Sequence, residues 1–321
     1  MLAAFGLAGL GSLLVVLFPF YWMALTSLFF IGTGMAMLQV VINPLLRTAG
    51  GEEHYASNSV YAQLVFGLAS FISPLVYQFF IQRPQSAFPF PWLSLYVLFV
   101  GIILVMIAIC ASIKFPKVPQ NDLDKPEAWA VHLALFKNKT VILYFLAMLC
   151  YVGVEQGIST WVSQFLATYH QVNPQTFGAN TISYYWGLMT IGGVFGIILL
   201  KFFDCRTIIS ATTFFAILSL AFGLFGNTST SLIAFPLIGF FVSLIYPIIF
   251  SLALNSVKEH HGAFAGIIVT GIVGGAIFPF IIGSLGDLFG LKAGMTLLFV
   301  CLGYIFSIGF WAKPLVSNKL N

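Results

Sequence analysis

The chain is a series of continuous apolar runs about 20 residues long, the length at which an α-helix crosses the ~30 Å hydrocarbon core of a bilayer. WLSLYVLFVGIILVMIAICASI, residues 92–113, carries no charged side chain at all. In lipid, every backbone N–H and C=O must find its partner within the fold, so a spanning chain is built from helices or a closed barrel. Barrel strands alternate apolar and polar residues, and these runs do not alternate. Composition points the same way: 60% of residues are hydrophobic and 7% charged, against about 25% charged in soluble domains. The fold class expected is therefore an all-α membrane protein.

Charge, Pro, Gly and Asn divide the sequence into ten spans, at 1–18, 22–46, 59–81, 92–113, 140–168, 180–200, 207–225, 229–254, 263–285 and 293–312. One long polar connection, KFPKVPQNDLDKPEAWAVHLALFKNKT, separates the first four from the last six. The domain reading is an N-terminal bundle of four helices over 1–113, a central loop over 114–139 and a six-helix bundle over 140–321. When loops alternate sides, eleven of the 13 Lys and Arg fall on one side, and only Arg83 and Lys292 on the other. Basic loops stay inside, which predicts a cytoplasmic central loop and C-terminus in a multi-pass protein of the inner membrane.

Several function classes are excluded or disfavoured at this level. The basic residues cluster at span ends rather than in a stripe with interleaved aromatics, so the net charge of +4 reflects orientation and predicts no nucleic-acid partner. Cys110, Cys150, Cys205 and Cys301 are far apart and lack metal-ligand spacing, which reads as packing. No nucleophile triad, metal cluster or phosphate-cradling loop occurs, so neither an enzyme nor a cofactor is expected. The opening MLAAFGLAGLGSLLVVLF has no basic n-region and no small-x-small cleavage site, and reads as a span.

Two stretches share their punctuation. INPLLRTAGGEEHYASNSVYAQLVFGLASFISP (Ile42–Pro74) and IYPIIFSLALNSVKEHHGAFAGIIVTGIVGGAIFP (Ile245–Pro279) each run from a Pro-containing pair through an acid and histidine turn to a small-residue-rich span ending at proline. Both keep the same direction across the membrane, as parallel repeats do. A six-span second half then implies a six-span first half, and an expectation that two N-terminal spans are missing here.

Three motifs, in order, carry a resemblance: LQxxxNP in GMAMLQVVINP, YVGxEQ in LCYVGVEQGISTW, and YPxIFSL in YPIIFSLALNSV followed by GIVGGAIFPFIIGSLGD. Together they resemble the fucose:proton symporter family of the major facilitator superfamily, especially its glucose/galactose permease branch, over essentially the whole chain. The resemblance implies a twelve-span fold, ten spans of which are present as four plus six, whose halves rock around a central sugar site coupled to entry of H+ or Na+. Gln39 stands where fucose-type members carry glutamate.

Among the predicted spans Glu155 is the only Asp or Glu. An acid at bilayer depth is costly and generally faces a bundle interior or a wet cavity, so it marks a pathway. Desolvation disfavours the charged form of a carboxyl, which suits a proton-coupling residue that also accepts sugar hydroxyls; the bland alternative is a paired acid that fixes helix packing. Tyr151 lies one turn before it on the same face, Gln156 follows it, and Trp161 is either a platform for a sugar ring or an interfacial anchor. Gln39 and Asn43 are spaced i, i+4, and Gln63 lies on the next span. Amides donate and accept at once, as sugar hydroxyls do, although interhelical hydrogen bonding is the rival reading. Tyr246 offers a hydroxyl; Pro44 and Pro247 permit kinks that could serve gating, and Gly271, Gly274 and Gly275 permit close helix approach. WGLMTIGGVFGIILLKFFDCR, ending in Asp204 and Arg206, resembles the superfamily's cytoplasmic gating loop; a solvated ion pair is the alternative.

The function expected is monosaccharide symport, of a hexose such as glucose, galactose or fucose, by a monomer that alternates access and uses H+ or Na+ as coupling ion. The rivals are a facilitator or exporter of another small solute and a sugar receptor that does not transport.

Overall fold

A computed structural model describes residues 1–50, 55–82, 90, 92–113, 115, 133–257 and 260–313. Among them, nine helical segments are long and apolar enough to cross a membrane, and a shorter apolar helix, Leu2–Leu17, precedes them. The chain divides into two compact units, Met1–Asp124 and Lys125–Asn321.

The first unit contains α1 (Leu2–Leu17), α2 (Tyr21–Gly50), α3 (Tyr55–Ile81) and α4 (Leu93–Ser112). Helix α1 packs on α2 and α4. Lipid supplies no hydrophobic drive between helices, so close contact depends on small residues and interhelical hydrogen bonds. Here a Cβ on Gly34 would come within 3.0 Å of Ala8, and the Ser27 hydroxyl donates to the Gly11 carbonyl.

The second unit is organised around α5 (Lys139–His170), 32 residues long. Asn138 caps its start, accepting the Thr140 N–H at 2.9 Å, and Gln171 ends it in the left-handed region at φ 55°. Tyr144, Ala147, Met148, Tyr151, Val154, Ile158, Val162 and Phe165 are buried, at the three- and four-residue spacing of an inward stripe. The remaining elements are a π-helical turn (Pro174–Gly178), α6 (Ala179–Phe202), α7 (Cys205–Phe225), α8 (Thr228–Val242), α9 (Ile245–Leu254), α10 (His261–Thr270), a 3₁₀ turn (Gly271–Val273), α11 (Gly274–Phe289), α12 (Leu291–Met295) and α13 (Leu297–Trp311). Helices α6, α8, α9, α10, α11 and α13 all touch α5.

Three spans that hydropathy predicts as continuous, 229–254, 263–285 and 293–312, are each broken into two helices. At the first break, Pro247 has no N–H to give the carbonyl of Ser243, so α8 ends at Val242 and Pro247 falls in the first turn of α9, where no donor is needed. At the second, Gly271 and Gly274 press onto α5: a Cβ at either would meet Met148 or the Leu149 backbone. At the third, the Thr296 hydroxyl donates to the Ala293 carbonyl at 2.6 Å, a back-bond that competes with the helix ladder.

Candidate functional site

Helix α5 carries the acid near its midpoint. Glu155 is half-buried, and both carboxylate oxygens accept hydrogen bonds from its own helix. The Tyr151 hydroxyl donates to Oε2 at 2.6 Å and the Gln156 amide donates to Oε1 at 3.0 Å. The first is as short as an O–H···O⁻ bond normally is. Tyr151 is placed for this by the i, i+4 geometry of the helix, and its ring is buried, so its hydroxyl is committed to Glu155. From α6, Tyr185 donates its hydroxyl to the Glu155 carbonyl at 3.4 Å. From the first turn of α9, Tyr246 sets its ring 6.0 Å from that of Tyr151, inclined at 59°, and stacks on Phe250 at 6.2 Å. Three tyrosines from three helices thus gather around Glu155, and of these Tyr151 bonds the carboxylate itself. Tyr246 and Gln156 are half-buried; Gln156 has given one amide hydrogen and retains further donor and acceptor capacity.

Tyr185 was not legible as a site residue. It sits in the run SYYWG next to Tyr184, which is exposed, and nothing local says which of the two turns inward. Trp161 is half-buried; its Nε1–H donates to the Pro279 carbonyl at 2.9 Å, and its ring lies over Gly283, where a Cβ would stand 2.7 Å from Cζ2. It fastens α5 to α11.

Gln39 is exposed on α2 of the first unit. The side chains of Asn43, Pro44 and Gln63 lie outside the described residues, as does most of the central connection. Pro247 is exposed at the start of α9. Asp204 caps α7, its Oδ1 accepting the Arg206 N–H at 2.8 Å, while Oδ2 lies 3.7 Å from the Arg206 guanidinium. Among the described residues, no three His, Cys, Asp or Glu side chains are grouped to hold a metal.

The Major Facilitator Superfamily profile matches residues 1–273. The chain belongs to the Major Facilitator Superfamily. This superfamily member is accordingly a multi-pass membrane transporter and not an enzyme. It is 28% identical over 298 residues to a protein of Brucella abortus biovar 1 (strain 9-941) named glucose/galactose transporter, covering 89% of this chain and 70% of the relative. It is 22% identical over 322 residues to the L-fucose-proton symporter of Escherichia coli (strain K12), covering 93% and 74%. Among solved structures, the E. coli fucose:proton symporter FucP superposes with a TM-score of 0.69 at 21% identity, covering 97% of this chain and 83% of that one. That likeness establishes the fold.

Proposed function

We propose that this superfamily member is a monosaccharide:proton symporter of the inner membrane that works by alternating access. The names of its relatives support a hexose and a proton. One observation carries the mechanism: a carboxylate near the middle of a 32-residue membrane helix, with both oxygens accepting from neighbouring donors.

A carboxylate has about four acceptor positions, and Tyr151 and Gln156 fill two. Sugar hydroxyls can fill those that remain. A proton arriving on either oxygen takes one of the two open positions and turns it from an acceptor into a donor, so the pattern offered to sugar changes while Tyr151 and Gln156 keep theirs. Proton and sugar therefore act on one hydrogen-bond network, and coupling of this kind is reciprocal. Tyr151 is assigned to positioning the carboxylate; Gln156 and Tyr246 are assigned to the sugar. Gln39, Asn43 and Gln63 are retained as sugar-binding amides of the first unit, and Trp161 as the fastener that holds α5 in register. Pro44, within the continuous helix α2, and the break before Pro247, with the Asp204 and Arg206 turn, are assigned to gating. The protein is taken to work as a monomer with its central loop and C-terminus cytoplasmic.

The test is uptake of labelled glucose, galactose and fucose into proteoliposomes under an imposed proton gradient. Glu155→Gln is expected to abolish accumulation above equilibrium while exchange across the membrane persists within a few-fold. Undiminished uphill uptake in that variant removes Glu155 from the mechanism. Accumulation that needs a sodium gradient instead removes the proton, and failure of all three hexoses removes the substrate class.

A further inference from the structure

Away from Glu155, the second unit has an open groove of about 640 Å³ between α7 and α13, within the size range of ligand sites. Arg206 and Ser210 line one end, and Phe214, Phe215, Phe306 and Phe310 line the rest. The helices are antiparallel here and meet closely because of Gly309, where a Cβ would collide with Ser210 and stand 3.1 Å from the Arg206 carbonyl. The groove therefore has a polar end and an apolar length. From Arg206 to Phe214 is about 12 Å at 1.5 Å per residue, close to the depth of one leaflet of a ~30 Å core.

Arg206 and Asp204 carry opposite charges at the groove mouth, and the α7 N-terminus and Lys313 tip the balance positive. Arg206 is 44% exposed at its side chain, and its ion pair with Asp204, at 3.7 Å, is long. The other Asp204 oxygen is occupied in capping α7, so most of the five guanidinium N–H donors are left to face the groove mouth. The N-terminus of α7 adds positive potential. Lys313, exposed just beyond the end of α13, lies at the same end of the bundle, because Gly309 is level with Arg206. Phe214, Phe215 and Phe310 are 47%, 48% and 72% exposed and require hydrocarbon.

We propose that this groove is a binding site for an anionic phospholipid, its phosphate held by the forked donors of Arg206 and one acyl chain lying along Phe214 and Phe306. A guanidinium suits phosphate oxygens geometrically as an ammonium does not. A zwitterionic lipid could fill the apolar length, but its headgroup brings a cation to a mouth already basic. The groove lies at the end that basic residues assign to the cytoplasm, where anionic lipid attracts such clusters.

The test is photocrosslinking of the full chain in liposomes of phosphatidylethanolamine with a minority of phosphatidylglycerol. Benzoylphenylalanine is placed at Phe214, or at Phe222, exposed near the other end of α7, and adducts are identified by mass spectrometry. Phosphatidylglycerol is expected among Phe214 adducts at several times its share of the bilayer, at its bulk share at Phe222, and back at its bulk share at Phe214 in Arg206→Gln. Arg206→Lys, which keeps charge without the fork, should retain part of the enrichment. Bulk composition at Phe214, equal enrichment at both positions, enrichment that survives Arg206→Gln, or adducts on residues 1–113 of the protein itself would each overturn the proposal. Where Arg206→Gln fails to fold, the comparison of Phe214 with Phe222 in the otherwise unaltered protein decides the question.

Discussion

Glu155 stands out in the sequence because an acid inside an apolar span has few neutral explanations, and its partner Tyr151 is legible from the helical period alone. What the sequence could not supply were contacts from other helices: Tyr185, whose hydroxyl reaches the Glu155 carbonyl, and the Pro279 carbonyl that occupies Trp161. Both depend on tertiary approach, for which a single span carries no local signal. The assignment of Tyr151 as a positioning residue leads to a specific expectation. Tyr151→Phe keeps the buried ring and removes only the donor, and a hydrogen bond to a charged group contributes about 1.5–3 kcal/mol. Proton-driven uptake should fall about ten-fold or more, with exchange much less affected. In a Glu155→Gln background the same change should add little, because the two residues act through one contact. Exchange is the readout in that background, and a further loss of it by about ten-fold there would mean that Tyr151 acts on something other than Glu155.

At the scale of elements, the number and order of the spans follow from hydropathy, whereas the breaks within them do not. Hydropathy averages over a window as long as the helix, so it passes over Thr296 and the 3₁₀ turn at Gly271–Val273, where the causes are one hydroxyl and two close backbone approaches. Proline is the exception, since Pro247 announces its break by the missing donor. The glycines of TGIVGGA give a test of whether close approach of α11 to α5 sets stability. A Cβ at Gly274 would meet the Leu149 carbonyl carbon at 2.8 Å, and backbone cannot rotate away as a side chain can. Gly303, on α13, has nothing within 4 Å of an added Cβ. Overpacking costs about 1–3 kcal/mol, and each kcal/mol moves the midpoint of a domain of this size by about 2–4 °C. Gly274→Ala should therefore lower the thermal midpoint in detergent by several degrees, read from the monodisperse fraction after heating. Gly303→Ala should leave it unchanged or raised slightly, by helix propensity. Equal behaviour of the two variants would show that the α5–α11 contact yields freely.

The whole molecule must also choose an orientation, and within the second unit the helix contacts sort its charges by end. The Tyr304 hydroxyl donates to the Leu143 carbonyl at 2.9 Å, and Trp311 lies 5.0 Å from Tyr144, so the end of α13 and Lys313 sit beside the start of α5 with Lys137 and Lys139. Gly309 brings Arg206 to that same level. At the opposite end, the Tyr169 hydroxyl accepts the Lys292 N–H at 3.1 Å, and the Lys292 ammonium lies over the Phe225 ring at 4.9 Å. One face of the unit is thus basic and the other has a single described lysine beside an aromatic ring. Since Lys and Arg near span ends, rather than net charge, set orientation, the basic end should be cytoplasmic. The background is one in which Cys110, Cys205 and Cys301, which are buried, and Cys150, which is half-buried, are all replaced by alanine or serine. In it, Gln175→Cys, exposed between α5 and α6, should react with a membrane-impermeant maleimide on intact cells. Lys313→Cys should react only after permeabilisation. The reverse pattern would place the Arg206 groove in the outer leaflet and reverse the proposed orientation, while leaving the hydrogen bonds of Glu155 as they are.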